Sequence, residues 1–171
     1  MSAMPQPTPP QTAAGQAPLL DTKLIVPFVN STKKVFSTMV RVEVDVDYPY
    51  LKENAIATYD VSGIMGFSGE ILGSVVISFQ SASAIKLVEA FTGSIFETSS
   101  TDFTDAIGEL ANMIVGAAKK DMGMNSNITV PTVVIGHGHC ISRLTGVPCI
   151  VIPCKTSAGN FAVEVNIKPS R

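Results

Sequence analysis

Strand patterns and helix patterns occupy separate stretches of this sequence, and their order restricts the fold more than any other feature. Two helical patterns stand together in the middle, a short one capped by Ser81 or Ser83 and stopped at Gly93, and a longer one from about Asp102 to Met122. The predicted strands on either side are a hairpin of Ala55–Phe67 and Glu70–Phe79, and later Ile128–Gly136, His139–Leu144, Val147–Lys155 and Phe161–Ile167. Segregated strands and helices favour the α+β class with a largely antiparallel sheet.

The part of the chain before the hairpin adds one more helix and one more strand. Apolar residues recur at steps of three and four from Thr22 to Met39 and predict a helix, in which Pro27 is tolerable only near the first turn. Arg41–Asp47 alternates valine with charged residues and predicts a half-exposed strand. Residues 1–20 are Pro-rich without a periodic apolar face, so we expect a disordered tail before one domain at residues 21–171. The predicted fold is α+β, a largely antiparallel sheet packed with three helices.

Charge and composition exclude several classes of function. The chain has 171 residues, and 12 Lys and Arg against 14 Asp and Glu leave a net charge of −2. Because no basic excess exists to neutralise phosphates, we expect no nucleic-acid partner. No apolar run approaches the roughly 20 residues that span a bilayer, so we expect no membrane insertion. The three cysteines and the lack of a signal-peptide pattern favour a cytoplasmic location.

The longer middle helix separates its polar and apolar residues onto opposite faces. At about 100° per residue, Asp105, Glu109, Asn112 and Gly116 line one face, opposite a broad apolar face. Glu109 and Asn112 are three residues apart, so their side chains are neighbours. Gly108 and Gly116 flank the pair, each at a cost of about 0.5–1 kcal/mol relative to alanine, which indicates close approach by another helix or by a partner protein. A solvated polar face is nevertheless the commoner explanation of an arbitrary Glu-x-x-Asn pair.

The residues around this pair favour a functional site over a solvated polar face, because they resemble a known family. The segment Asp105–Gly116 closely resembles the signature of the CheC/CheX family of chemotaxis phosphatases. Other segments that match that family in type and order are Pro27–Asn30, Gly63–Gly66, Gly69–Gly73 and Pro131–Gly136. One branch of the family carries the Glu-x-x-Asn pair twice. Here Asn30 lies on the first helix, but Pro27 stands three residues before it, where that branch has Glu. The chain is therefore more similar to the single-site CheX branch.

The resemblance implies an activity, a partner and a role for each residue of the polar face. The implied activity is a phosphatase for the phospho-aspartate of a response-regulator receiver domain such as CheY. The resemblance implies that Asn112 and Glu109 are the catalytic residues. Glu109 would contribute by pairing with the receiver's active-site lysine when the two proteins dock. Glu109, Asp105 and Gly116 are the implied partner-binding residues, although the helix dipole alone also favours an early acidic residue such as Asp105. The chain is expected to need no cofactor of its own, since the receiver supplies Mg2+.

Two further expectations follow from the resemblance. CheX-type members are expected to be homodimers. The alternating Arg41–Asp47 strand is a candidate edge for pairing between the two chains, and its charges could equally prevent such edge-to-edge association. The same fold also serves in flagellar switch proteins. The alternative function is therefore a non-catalytic module that binds the receiver or the motor without hydrolysis.

The remaining chemistry-bearing residues predict structural roles. His137 and His139 are two residues apart beside Cys140 and would face the same side of a strand. Nothing in the sequence supplies the rest of a zinc set, so we expect no metal site. Cys149 and Cys154 lie in an apolar run and are expected to be small core residues rather than nucleophiles.

Overall fold

The computed structural model describes residues 21–171, which form three helices, one π-helical turn and a single eight-stranded sheet. The helices are α1 (Thr22–Val35), α2 (Ser81–Thr92) and α3 (Thr101–Met122), and the π-helical turn Phe36–Val40 continues α1. The strands are β1 (Asp45–Val46), β2 (Tyr50–Lys52), β3 (Val61–Gly69), β4 (Ile71–Phe79), β5 (Ser126–Ile128), β6 (Thr132–Ile135), β7 (Cys149–Thr156) and β8 (Gly159–Pro169). All strand pairs of this region are antiparallel, so the predicted α+β class is confirmed.

The sheet runs in the order β1-β7-β8-β4-β3-β5, and side chains are buried on both of its faces. β2 pairs with β7, and β6 pairs with β3 beyond the end of β5. Alternate residues of the central strands, such as Met65, Ile77 and Val163, pack with the three helices in the main core. The intervening residues include buried polar side chains, among them Ser62 and Ser78. The helices therefore cover one face, and loops cover the other.

A buried carboxylate holds those loops on the second face. Glu164 of β8 is 1% exposed and lies 3.6 Å from Lys52 Nζ, and it also accepts a hydrogen bond from Arg143. The backbone N–H of Thr58 donates to Glu164 Oε1 at 2.8 Å. Asn166 extends this network, because its Oδ1 accepts from the Leu144 N–H at 2.7 Å. A buried charge needs such partners, since an unpaired one is strongly destabilising.

Helix α3 lies against the sheet at a glycine. Phe103, Ile107, Leu110 and Ile114 of α3 are fully buried, as the predicted apolar face requires. Directly beneath them, a Cβ on Gly63 of β3 would lie 3.0 Å from Ala111 Cβ. The absence of a side chain at Gly63 therefore sets how closely the helix and the strand approach.

The N-terminal predictions need two corrections, and the predicted end of the first helix is confirmed. Pro27 is the sixth residue of α1 and is buried, so the helix accommodates it in the second turn rather than near the first. The helical structure ends at Val40, close to the predicted Met39, and Arg41 follows in the left-handed conformation with φ 62°. Only Asp45–Val46 of the predicted strand Arg41–Asp47 therefore pairs with β7. The predicted tail and its boundary at residue 20 lie outside the described residues.

Long-range pairing also overrides several local strand patterns. The predicted strand Ile128–Gly136 is two short strands, β5 and β6, on either side of Pro131. The segment His139–Leu144 is not a strand but a loop with one isolated bridge, Ile56 to Cys140. Tyr50–Lys52 forms β2, which no local strand pattern predicts, because these residues pair with the edge of β7. The hairpin is confirmed as β3 and β4, which begins only at Val61.

Gly63→Val should lower the free energy of unfolding by about 1–3 kcal/mol, because the added carbons have no space against Ala111. Equilibrium urea unfolding measures this change. Ser68→Val is the matched control, since Ser68 is exposed on the same strand and should change stability by less than about 0.5 kcal/mol. Equal stabilities of the two variants would contradict the close helix–strand contact.

Candidate active site

Helix α3 is long and regular because both of its ends are capped. The Ser100 hydroxyl accepts a hydrogen bond from the Phe103 N–H at 3.2 Å, which satisfies one of the unpaired N–H groups of the first turn. At the other end Gly123 adopts the left-handed conformation with φ 65° and stops the helix. Lys119 and Lys120 in the last turn complement the helix dipole. The 22-residue helix therefore holds its exposed side chains on a rigid support.

The predicted polar face of α3 points to solvent. Asp105, Glu109 and Asn112 are exposed and Gly116 is half-buried, whereas the opposite face is buried in the core. The four ion pairs found among residues 21–171 all lie elsewhere, so none of them neutralises Asp105 or Glu109. The face therefore presents carboxylates and a carboxamide to whatever approaches it. We call Asp105, Glu109, Asn112 and Gly116 the α3 stripe.

An open groove of about 580 Å³ runs beside the α3 stripe. One wall consists of Thr104, Gly108 and the first three residues of the stripe. The other wall consists of Val130, Pro131 and Val133, from β6 and the connection before it. The sequence did not predict this second wall, because it lies about twenty residues later in the chain. The Val130-Pro131 pair inside a predicted strand was the only local sign of an interruption there.

The two glycines of α3 do different things. Gly108 is buried, and a Cβ there would lie 3.5 Å from Pro131 Cγ, so the glycine lets the strand connection lie on the helix. This contact is neither of the two that the sequence suggested, a second helix or a partner protein. At Gly116 a Cβ would meet nothing within 4 Å. The intramolecular packing therefore gives no reason for glycine at position 116.

The histidines have partners within the fold. His139 Nδ1 lies 2.7 Å from the Gly136 carbonyl oxygen and its Nε2 lies 2.8 Å from Ser62 Oγ, so both ring nitrogens are engaged. His137 is exposed and its Nδ1 lies 3.1 Å from Asp60 Oδ1. Within residues 21–171 no group of three or more His, Cys, Asp or Glu side chains is placed to hold a metal ion.

The cysteines are distributed between core and surface. Cys149 and Cys154 are buried, whereas Cys140 is exposed. Burial raises the pKa of Cys149, and it raises the pKa of Cys154 to about 12. Since the thiolate is the nucleophilic form, both buried residues remain thiols at neutral pH and act as core residues.

A second copy of the Glu-x-x-Asn pair is incomplete on α1. Asn30 is exposed on that helix, but Pro27, three residues earlier, is buried and offers no carboxylate. The complete pair is therefore found on α3 alone in the described part of the chain. No helix of that part has both the length and the apolar character needed to cross a bilayer.

Comparison with known proteins places this chain in one family. The sequence model of the family described as chemotaxis phosphatase CheX matches residues 61–155, which include all of α3. The CheY-P phosphatase CheX of Thermotoga maritima is 29% identical over 121 residues, which are 68% of this chain and 78% of that protein. The crystal structure of a chemotaxis protein CheX from Desulfovibrio desulfuricans is 38% identical, covers 86% of this chain and 99% of its own, and superposes with a TM-score of 0.77.

A third relative was solved as a complex. It is the CheX-CheY-BeF3-Mg+2 complex from Borrelia burgdorferi, whose matched chain covers 85% of this chain and 97% of its own with a TM-score of 0.67. At 19% identity this likeness concerns the fold. The family match over more than half of the chain and the similarity to the Desulfovibrio structure together establish the family of this chain. This chain belongs to the CheX family of chemotaxis phosphatases.

Proposed function

We propose that this protein dephosphorylates the phospho-aspartate of a CheY-like receiver domain by holding a water molecule in line with the phosphoryl group. The observation that carries the proposal is the pair Glu109 and Asn112, exposed side by side on a rigid helix at an open groove. The name of the Thermotoga relative, CheY-P phosphatase, and the presence of CheY in the Borrelia complex support this choice of partner.

The reaction asks little covalent chemistry of this chain. The water oxygen forms a bond to phosphorus while the bond from phosphorus to the aspartate oxygen breaks. The products are the aspartate carboxylate and H2PO4−, which retains both protons of the water. Phosphoryl transfer of this kind responds mainly to positioning and to neutralisation of charge. Neutralisation is a task for the receiver's own lysine and divalent cation, expected to be Mg2+, and this chain supplies the positioning.

Asn112 suits that task because of its side-chain amide. The amide carbonyl oxygen accepts a hydrogen bond from the water, and its NH2 group donates to a phosphoryl oxygen or to the water itself. An amide does not titrate, so it holds the same orientation over the whole neutral pH range. The side chain is short and its Cα belongs to a capped helix, which limits the motion of the water that it holds.

Glu109 suits docking rather than chemistry. Its carboxylate lies one turn from Asn112 on the α3 stripe, where it can pair with the receiver's active-site lysine and set the register of the two proteins. Charge complementarity across an interface mainly supplies orientation and association rate. Asp105 adds negative charge at the same face, and Gly116 leaves the next turn of the helix open to a partner's backbone.

The homodimer and the cytoplasmic location stay predictions. β1 lies at the outer end of the sheet order, but only Asp45 and Val46 belong to it. Asp47 beside it forms an ion pair with Lys155 at 3.0 Å. A strand of this length offers little backbone for pairing between chains, so we propose that a dimer of this protein uses a surface other than the β1 edge.

Asn112→Ala should reduce the assisted rate of dephosphorylation by at least about 100-fold, toward the receiver's own rate, because the water loses its orientation. Phosphate release from the phosphorylated receiver at saturating concentration measures this. Asn112→Asp should be equally inactive, since its charge faces the phosphoryl oxygens. Asn30→Ala is the matched control, an exposed asparagine on α1 whose loss should leave the rate unchanged. Full activity of Asn112→Ala would favour the non-catalytic binding module instead.

Glu109→Ala should weaken binding of the phosphorylated receiver by at least about 30-fold, because removing one partner of a desolvated charge pair costs about 2–5 kcal/mol. Glu109→Lys should bind more weakly still, since it faces the receiver's lysine. Isothermal titration in an Asn112→Ala background, which leaves the phosphorylated receiver largely intact, gives both affinities. Glu89→Lys makes the same charge change at an exposed site on α2 and should bind like the wild type. Wild-type affinity of Glu109→Lys would show that the docking orientation is wrong.

Gly116→Ala should separate folding from docking. The new methyl group meets nothing within 4 Å and favours the helix, so the free energy of unfolding should rise by about 0.5–1 kcal/mol. If Gly116 is where a partner's backbone approaches, the same variant should bind the receiver about tenfold more weakly. Thermal unfolding and titration on one preparation give both results. Improved stability with unchanged affinity would remove Gly116 from the interface.

A further inference from the structure

The connection between β5 and β6 contains one residue more than the strand opposite it. Ile128 of β5 pairs with Phe67 of β3, and Thr132 of β6 pairs with Ile64. Three residues, 129–131, therefore face the two residues 65–66 of β3. One extra residue in one strand of an antiparallel pair is a β-bulge, a feature that is frequent beside active sites and re-aims a side chain.

The bulge is anchored to β3 by Thr129. The Thr129 N–H donates to the Gly66 carbonyl oxygen at 3.0 Å, and the Gly66 N–H donates to Thr129 Oγ1 at 2.9 Å. A Cβ on Gly66 would lie 3.2 Å from Thr129 Cγ2, so the threonine side chain lies closely over the glycine. The Thr129 hydroxyl oxygen thus accepts the hydrogen bond from Gly66 N–H that a backbone carbonyl oxygen would accept in a regular ladder.

The other end of the bulge is anchored to helix α3 by Pro131. The proline ring comes within 3.5 Å of the Cβ position of Gly108, the residue before Glu109. Proline also fixes its own φ and has no N–H to leave unpaired in the ladder. Val130 is therefore held between an anchor on the sheet and an anchor on the helix.

Val130 itself touches little of its own fold. It is 85% exposed, the highest exposure of a large aliphatic side chain among residues 21–171. It lines the groove opposite Glu109 and Asn112. A single exposed valine is ordinary. A valine anchored on both sides, facing the proposed catalytic pair across one groove, presents apolar surface in a defined place.

We propose that Val130 is a docking and specificity residue, which buries itself against an apolar side chain of the receiver domain beside the phospho-aspartate. This inference rests on the proposed function, whose substrate must enter the same groove. The side chains of the α3 stripe, Asp105, Glu109 and Asn112, supply polar and charged contacts, which orient a partner more than they bind it. An apolar contact at the opposite wall adds affinity for a partner that carries an apolar side chain there and discriminates against one that carries a charge.

The test separates binding from chemistry. The rate of phosphate release is measured against the concentration of phosphorylated CheY-like receiver for the wild type, Val130→Ser, Val130→Leu and Ile95→Ser. Ile95 is the matched control, an aliphatic residue 74% exposed in the connection between α2 and α3. Val130→Ser should raise KM about fivefold with kcat within about twofold of the wild type, because only docking loses apolar burial. Ile95→Ser should match the wild type, and Val130→Leu should retain most of the affinity.

The outcomes distinguish this inference from the function on which it rests. An active wild type with an unchanged KM for Val130→Ser overturns the role of Val130 and leaves the phosphatase intact. A fall in kcat at unchanged KM also overturns it, since Val130 would then act on the chemistry. A wild type that neither binds nor dephosphorylates the receiver overturns both. Thermal unfolding should show all three variants as stable as the wild type, because both positions are exposed.

Discussion

The close approach of helix α3 to the sheet is the contact on which the rest of this structure depends. Gly63 lets Ala111 lie directly on β3, and Gly108 lets Pro131 lie on the helix one residue before Glu109. Because protein interiors are close-packed, these two contacts leave the helix little freedom to rotate about its axis. The rotation that they select buries the apolar face and exposes the α3 stripe at the edge of a groove. Packing inside the fold thus sets the geometry on its surface.

The opposite face of the sheet is built on a different principle. There a small apolar cluster of Ala57, Val76 and Ile141 lies beside buried polar side chains, and Glu164 binds Lys52 at the end of β2 and Thr58 and Arg143 in two loops. These ion pairs and hydrogen bonds hold the loops, while apolar burial on the helical face supplies the main core. The catalytic proposal places no demand on this second face. It requires only that the sheet under α3 stay rigid, which a covered sheet does better than an open one.

An open groove with exposed polar residues suits a protein substrate better than a small molecule. Small-molecule sites are concave and bury most of their ligand, whereas this groove is wide and its catalytic candidates stand on the convex surface of a helix. A second protein can enclose Asn112 by docking on the helix, and the enclosure then excludes bulk water from the phosphoryl group. The proposed division of labour is consistent with this arrangement: the receiver would supply the lysine and the cation, and this chain would orient the water.

Sequence periodicity alone determined the helices and which residues of α3 face outward, because the pattern of one helix records which side is buried. The resemblance of Asp105–Gly116 to a family signature singled out Glu109 and Asn112 within that face. The tertiary structure decided what stands opposite them. The short strands β1 and β2, the loop at 139–144 and the bulge at 129–131 all depend on pairing with residues far away in the chain, which local patterns do not encode. Val130 and Pro131 reach the groove because the pairing register with β3 shifts by one residue between β5 and β6. Neither the helical nor the strand periodicity of the sequence predicts that shift.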